Sequence, residues 1–185
     1  MDDVKIIFLD IDGVIQPYNA NKRFYVNRQE LINYLSKKYN IDYSMYDEYD
    51  VAAVYYDWDK NAINIIKDIL NQTNSKIVIS SSWKSSILPN KMKDFLTIHE
   101  LDPYYLDDTK DIMNITNYQE LKKYSYRVIE ILDYLERNNN ISNYVAIDDL
   151  DLSYGLENHF VKTKNIITPE NGKECIKILK RKKYN

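Results

Sequence analysis

Two spacings of apolar residues divide this chain. Short unbroken runs occur at Val4–Leu9 ("VKIIFL"), Lys76–Ser80 ("KIVIS") and Tyr144–Ile147 ("YVAI"). Runs of that length, rich in branched residues, predict strands buried on both faces. A weaker one spans His159–Lys162. Elsewhere apolar residues return every three or four positions, the spacing of one helix face. Helices are predicted over Arg28–Tyr39, through Leu31, Ile32 and Leu35, and over Asp59–Asn71, through Ile63, Ile66 and Leu70, with Asp59 as N-cap. A shorter one follows Pro89 over Asn90–Phe95. The strongest is Arg127–Glu136, "RVIEILDYLE", closed by the polar turn "RNNNISN". The last opens at Thr168-Pro169, with Thr as cap and Pro in the first position, and places Ile176 and Leu179 on its inner face.

Strands that alternate with helices, and are apolar along their whole length, predict a parallel sheet covered on both faces. That is an α/β fold, a three-layer α/β/α Rossmann-like domain. The length suits a single domain, 1–185. Residues 16–57 are too many for a simple crossover. They read as a small cap insertion after the first strand, over the sheet's carboxyl edge, where such folds bind ligands.

The strand ends hold the candidate chemistry. "IIFL" runs into Asp10-Ile11-Asp12-Gly13, "KIVIS" into Ser81-Ser82, and "YVAI" into Asp148-Asp149. Buried acids are costly and neighbouring ones repel, so a strand ending in two carboxylates needs a compensating partner. In a parallel sheet the three tips share one edge. An all-oxygen donor set there suits a hard cation such as Mg2+, which takes one or two carboxylates and a substrate phosphate and relieves the repulsion. Gly13 lets the chain turn sharply past the second Asp. Taken singly, Asp-x-Asp-Gly reads as a turn or half of a calcium loop, the serines as helix caps, and Asp148-Asp149 as a solvated turn. In this order, each at a buried strand's tip, they point to one site. A calcium loop needs further oxygen ligands within the same short segment, and "VIQPYN" after Gly13 supplies none in the right pattern.

Composition narrows the class. A net charge of -3 and a pI near 5.5 give no general attraction to nucleic acid or membrane. No run approaches the ~18 apolar residues of a spanning helix, and "MDDVK" lacks the basic, then apolar, pattern of a leader. The single cysteine, Cys175, fits a reducing compartment, so the expected location is cytoplasmic. The 18 tyrosines, with abundant Asn, Lys and Ile, read as coding bias rather than a stacking device. Asp42–Asp59 holds six acids and no Lys or Arg, a poor surface for a phosphate backbone. The basic tail "KILKRKKYN" reads as cations at a helix C-terminus, with a nucleic-acid contact as the alternative.

"DIDGV", then "VISSSW", a basic residue on a later helix and "VAIDD" resemble the four-motif pattern of the haloacid dehalogenase (HAD)-type phosphohydrolases. More narrowly, "LDIDGVIQP", "SSSW", "RVIEILDYL", "YVAIDDLD" and "HFVKT" are similar to the HAD domain of Swiss-army-knife RNA repair proteins. The resemblance implies a HAD-type fold and a Mg2+-dependent phosphomonoesterase. Asp10 would attack phosphorus to give an aspartyl-phosphate; Asp12 would protonate the leaving oxygen and then activate water. HAD ATPases carry Thr where Asp12 stands, so Asp implies rapid hydrolysis of the intermediate. Ser81 and Ser82 would bind phosphate, with Ser80 the match if the strand ends earlier. Arg127 would bind it too, with Lys122 or Lys123 as alternatives. The implied metal set is Asp10, Asp12 and Asp149, with Asp148 a further ligand or an acceptor beside it. Such a cation, with Arg127 and Ser81, would offset the repulsion between a carboxylate and a phosphate dianion.

The expected partner is a phosphorylated substrate: a nucleotide, a nucleic-acid end or a small metabolite. A catalytically inactive binding module on the same scaffold is the competing class. His99 and His159 lack a second His or Cys at ligand spacing and read as surface or packing residues. Trp83 reads as packing against the sheet edge, with lining of the substrate pocket as the alternative.

Overall fold

Five parallel strands form one sheet in the order β3-β2-β1-β4-β5. They are β1 (Val4–Leu9), β2 (Ser75–Ile79), β3 (Tyr105–Asp108), β4 (Ile141–Asp148) and β5 (Phe160–Lys162). The computed structural model describes residues 4–85, 87–111 and 123–181. The helices are α1 (Arg28–Tyr39), α2 (Glu48–Tyr56), α3 (Lys60–Thr73), α4 (Lys91–Thr97), α5 (Tyr126–Arg137), α6 (Ser153–Leu156) and α7 (Pro169–Leu179).

The continuous apolar strands sort into two cores by the strand's twofold alternation. Ile7 and Leu9 join Ile77, Ile79, Val145 and Ile147 under α1, α2, α3, α4 and α7. Ile6 and Phe8 join Val78 and Ala146 on the other face, against Val128, Ile131 and Tyr134 of α5 and Leu156 of α6. The three-layer α/β/α arrangement expected from the sequence is therefore the observed one. Its strands are in register at their carboxyl ends: Leu9 pairs with Ile79 and Ile147, Ile79 with Asp108, and Asp148 with Lys162. The residues that follow each tip consequently lie along one edge.

The helix starts are set by caps as the sequence suggests. Asp59 accepts the Asn61 and Ala62 amides at 2.8 and 2.9 Å. Thr168 and Asn171 form a reciprocal capping box at α7, with Pro169 in the first turn. Several elements differ from expectation, among them α2 and α6, where no helix is predicted. The inner face of α7 is Cys175, Ile178 and Leu179, with Ile176 only partly buried. β4 begins at Ile141, inside the polar stretch read as a turn. β3 is an edge strand, "YLDD", whose polar, half-exposed residues give no apolar run.

Residues 16–57 fold as α1 and α2 with single 3-10 turns at Lys22–Phe24 and Tyr43–Met45. They pack beside α4, where the Tyr43 hydroxyl donates to Asp94 O (2.7 Å) and the Tyr46 hydroxyl to Asp94 Oδ2 (2.6 Å). The segment leaves and returns at one point: Asp59 N donates to Ile15 O at 2.8 Å. Residues 182–185 of the basic tail lie outside the described residues.

Candidate active site

Asp10 is the first residue beyond β1, and its amide donates to Ile147 O of β4 at 3.1 Å. Asp148 ends β4 and Asp149 follows it. One oxygen from each of these three carboxylates lies within 4.8 Å of the others. Asp10 is 4% exposed and Asp148 0%. Burial pushes Asp10 up to about 6, against the pull of the Arg127 guanidinium, the Ser81 hydroxyl and the Ile11 amide. Burial, then the charge of Asp10, pushes Asp148 up to about 7, against Arg127 and the Leu150 amide. These shifts express chiefly the cost of taking the carboxylates out of water, which one guanidinium does not offset.

That guanidinium belongs to Arg127, in the first turn of α5, a helix started by Ser125, whose hydroxyl accepts from Val128 N. Its Nη2 lies 3.4 Å from Asp10 Oδ1 and its Nε 3.3 Å from Asp148 Oδ2. Among the described residues, Arg127 Nη1, Asp148 Oδ2 and Gln16 Oε1 are buried site atoms without a hydrogen-bond partner. Buried donors and acceptors that make no hydrogen bond are expensive unless something else completes them. Hard oxygen donors without nitrogen or sulfur, one of them orphaned, fit Mg2+. The unpaired Nη1 fits an oxyanion.

Ser81 is fully buried and its hydroxyl donates to Asp10. Ser80 is buried too, its amide donating to Leu9 O at 3.0 Å. Ser82 is exposed. Lys123 is exposed, its Nζ over the Tyr124 ring at 4.9 Å, and Lys122 lies outside the described residues. Arg127 is thus the described candidate cation that reaches the carboxylates.

Asp12 stands outside the three-carboxylate group. Regular strand ends at Leu9, and Asp12 sits in an isolated bridge with Gln16, so it does not continue the side-chain alternation of β1. Its Oδ1 accepts from Gln16 Nε2 at 2.7 Å and its Oδ2 from Trp83 Nε1 at 2.9 Å. Gly13, at φ 72°, makes this turn, and its carbonyl accepts from the Thr163 hydroxyl at 2.7 Å. On the other side, the Tyr18 hydroxyl donates to Asp149 Oδ2, a bond that pushes the phenol up to about 12. The Tyr18 amide is itself fixed by Asn165 Oδ1 at 2.9 Å.

Gln16, Tyr18, Trp83 and Thr163 are the site residues whose roles the sequence does not announce. Trp83, Tyr18 and Thr163 meet partners 71, 131 and 150 residues away. The two histidines are packing residues. His99 stacks on Trp58 at 5.4 Å and His159 on Tyr144 at 4.4 Å.

The family model for the HAD domain in Swiss Army Knife RNA repair proteins matches residues 6–167. The chain belongs to this HAD family. Comparison with curated proteins and with solved structures gave no match. HAD domains are generally hydrolases and phosphatases, so a phosphorylated substrate suits the carboxyl-edge site. No helix among the described residues is long and apolar enough to cross a membrane.

Proposed function

We propose that this HAD domain is a Mg2+-dependent phosphomonoesterase working through an aspartyl-phosphate on Asp10. The observation behind it is a buried carboxylate grouped with two more, beside an arginine whose buried Nη1 has no hydrogen-bond partner among the described residues. A phosphate monoester answers both needs: its oxygens meet Arg127 Nη1 and the Ser81 hydroxyl while Asp10 approaches phosphorus. Asp10, Asp148 and Asp149 are the residues that would hold Mg2+. Bound there, the ion supplies the positive charge that lets a carboxylate approach a phosphate dianion. Asp12, outside that group, serves the protons of the leaving alcohol and of the attacking water.

The favoured substrate is a nucleotide or a nucleic-acid end. The family's description supports it, as does the exposed ring of Tyr18, whose hydroxyl reaches Asp149. Such a face stacks on bases with little sequence preference. Residues 16–57, which contribute Tyr18, would act as the small cap. The buried free thiol of Cys175 supports a reducing, cytoplasmic setting.

Asp10→Asn keeps the shape and removes the nucleophile. Turnover of p-nitrophenyl phosphate should fall by at least ~10³-fold with the circular dichroism spectrum unchanged. Retained turnover refutes the assignment. A panel of mononucleotides, 3′- and 5′-phosphorylated oligonucleotides, sugar phosphates and phosphopeptides ranks the substrates.

A further inference from the structure

Asp12 is held more tightly than a proton carrier alone requires. Both carboxylate oxygens accept from neutral donors, Gln16 Nε2 at 2.7 Å and Trp83 Nε1 at 2.9 Å. Both donors are buried, so neither is readily replaced by water. Neutral donors fix a carboxylate's direction without supplying a counter-charge.

The backbone of Gln16 and the ring of Trp83 are each fixed in turn, while Gln16 Oε1 has no hydrogen-bond partner among the described residues. Gln16 closes the tight loop after β1, its carbonyl accepting Gly13 N at 2.8 Å and its amide donating to Ile11 O at 3.0 Å. Trp83 lies two residues past Ser81, its ring edge-on to Trp58 at 5.9 Å and to Phe95 at 6.3 Å. Trp58 stacks on His99, whose Nε2 bonds to Val54 O at 2.7 Å. An indole set in that aromatic wall has little freedom in where it aims its N–H. A buried indole does need an acceptor, and packing alone accounts for one bond. It does not account for the second donor on the other oxygen of the same acid. Asp12 is only two residues from Asp10, so an unrestrained carboxylate there would be drawn toward a cation bound at the neighbouring group.

We propose that Trp83 and Gln16 are positioning residues for Asp12. They hold its carboxylate off the Asp10–Asp148–Asp149 group, in the orientation from which it exchanges protons with the leaving oxygen and the attacking water. The inference rests on the phosphatase reading above. In the first half, the Asp10 oxygen bonds to phosphorus, the P–O bond to the alcohol breaks, and protonated Asp12 gives its proton to the departing alkoxide. In the second, the Asp12 carboxylate takes a proton from water as that oxygen bonds to phosphorus and the Asp10–phosphorus bond breaks.

The test compares two leaving groups by kcat/KM, which reports only steps up to departure of the alcohol or phenol. p-Nitrophenolate leaves without a proton; the alkoxide of glycerol 2-phosphate needs one. In Trp83→Phe and in Gln16→Leu, at saturating Mg2+, kcat/KM for the alkyl ester should fall ~10–100-fold, part of the usual share of acid catalysis. For the aryl ester it should fall less than about threefold. The Mg2+ midpoint of a thermal-shift titration should stay equal or move to lower concentration. Equal losses on both esters, or a weakened Mg2+ midpoint, overturn the positioning role and leave the phosphatase reading intact. Full aryl-ester turnover by Asp10→Asn defeats that reading instead. Either of the two variants suffices if the other does not fold.

Discussion

Two acidic regions lie along the same sheet edge, and they are built differently. At the tips of β1 and β4, one oxygen from each of Asp10, Asp148 and Asp149 converges within 4.8 Å, with Arg127 at 3.3–3.4 Å. At the tip of β3, Asp107, Asp108 and Asp111 line one pocket with Lys84. There Lys84 Nζ reaches Glu130 at 2.9 Å and Asp111 at 3.4 Å. The Tyr105 hydroxyl answers Asp108 and the Asp108 amide answers Asp107. Burial still pushes Asp108 up to about 6, and its Oδ1 is unpartnered. A single orphaned oxygen is not a converging donor set. Among the described residues only the first region gathers three ligand atoms. Convergence, rather than acidity, separates a metal site from a buried salt bridge.

Magnesium tests that distinction most sharply. Chelation should abolish turnover and Mg2+ restore it. At ~100 times its Kd, Mg2+ should add about 2.7 kcal/mol, or roughly 5–10 °C in Tm. Asp149→Asn should erase that rise while Asp108→Asn leaves it. The effect should grow with pH. Asp10 and Asp148 are raised to about 6 and about 7 in the metal-free fold, so the folded state binds more protons than the unfolded chain between about pH 4 and 7. Metal-free stability therefore falls as pH rises through that window. Mg2+, which needs the deprotonated acids, then contributes little at pH 5 and most at pH 8. A Tm rise independent of pH would break the assignment.

The cations sharpen the contrast. Lys84 is 7% exposed and its partner Glu130 10%, so Lys84→Met strands a buried acid and should cost about 3 kcal/mol in denaturant titration, with no recovery by Mg2+. Arg127→Ala should lose stability that Mg2+ restores, and should lower kcat/KM about tenfold to hundredfold by removing charged hydrogen bonds to phosphate. Identical responses of the two variants to Mg2+ would erase the difference between the regions.

The smallest effect comes from Gly13→Ala. At φ 72° an added Cβ would lie 2.6 Å from the Tyr18 hydroxyl and 2.8 Å from Asp149 Cβ. The backbone alone costs about 1–2 kcal/mol. The exposed phenol can swing away, but Asp149 must shift, so the Mg2+ midpoint should also rise; an unchanged midpoint would detach Gly13 from the metal group.

What the sequence discloses follows from burial. β1, β2 and the end of β4 are legible because both faces of the sheet are covered, which forces unbroken apolar runs. β3 escapes because an edge strand half open to solvent tolerates Asp107 and Asp108. α7 is misjudged by its face: Ile176 matches the spacing, yet Cys175 and Ile178 take the interior. At the site, Asp10, Ser81, Arg127, Asp148 and Asp149 stand at element ends that the pattern locates. The bonds from Tyr18 to Asp149 and from Trp83 to Asp12 join distant segments, and a side chain's choice of a remote acceptor leaves no trace in local spacing.

The hydrogen bond between Asp59 N and Ile15 O has an engineering corollary. A segment whose two ends meet at one clasp can accept insertions at its exposed turns without pulling the flanking elements apart. Exchanging the whole excursion between Ile15 and Asp59 would instead take Gln16 from Asp12 and Tyr18 from Asp149, and Leu31, Leu35 and Val54 from the core that Ile7 and Leu9 share.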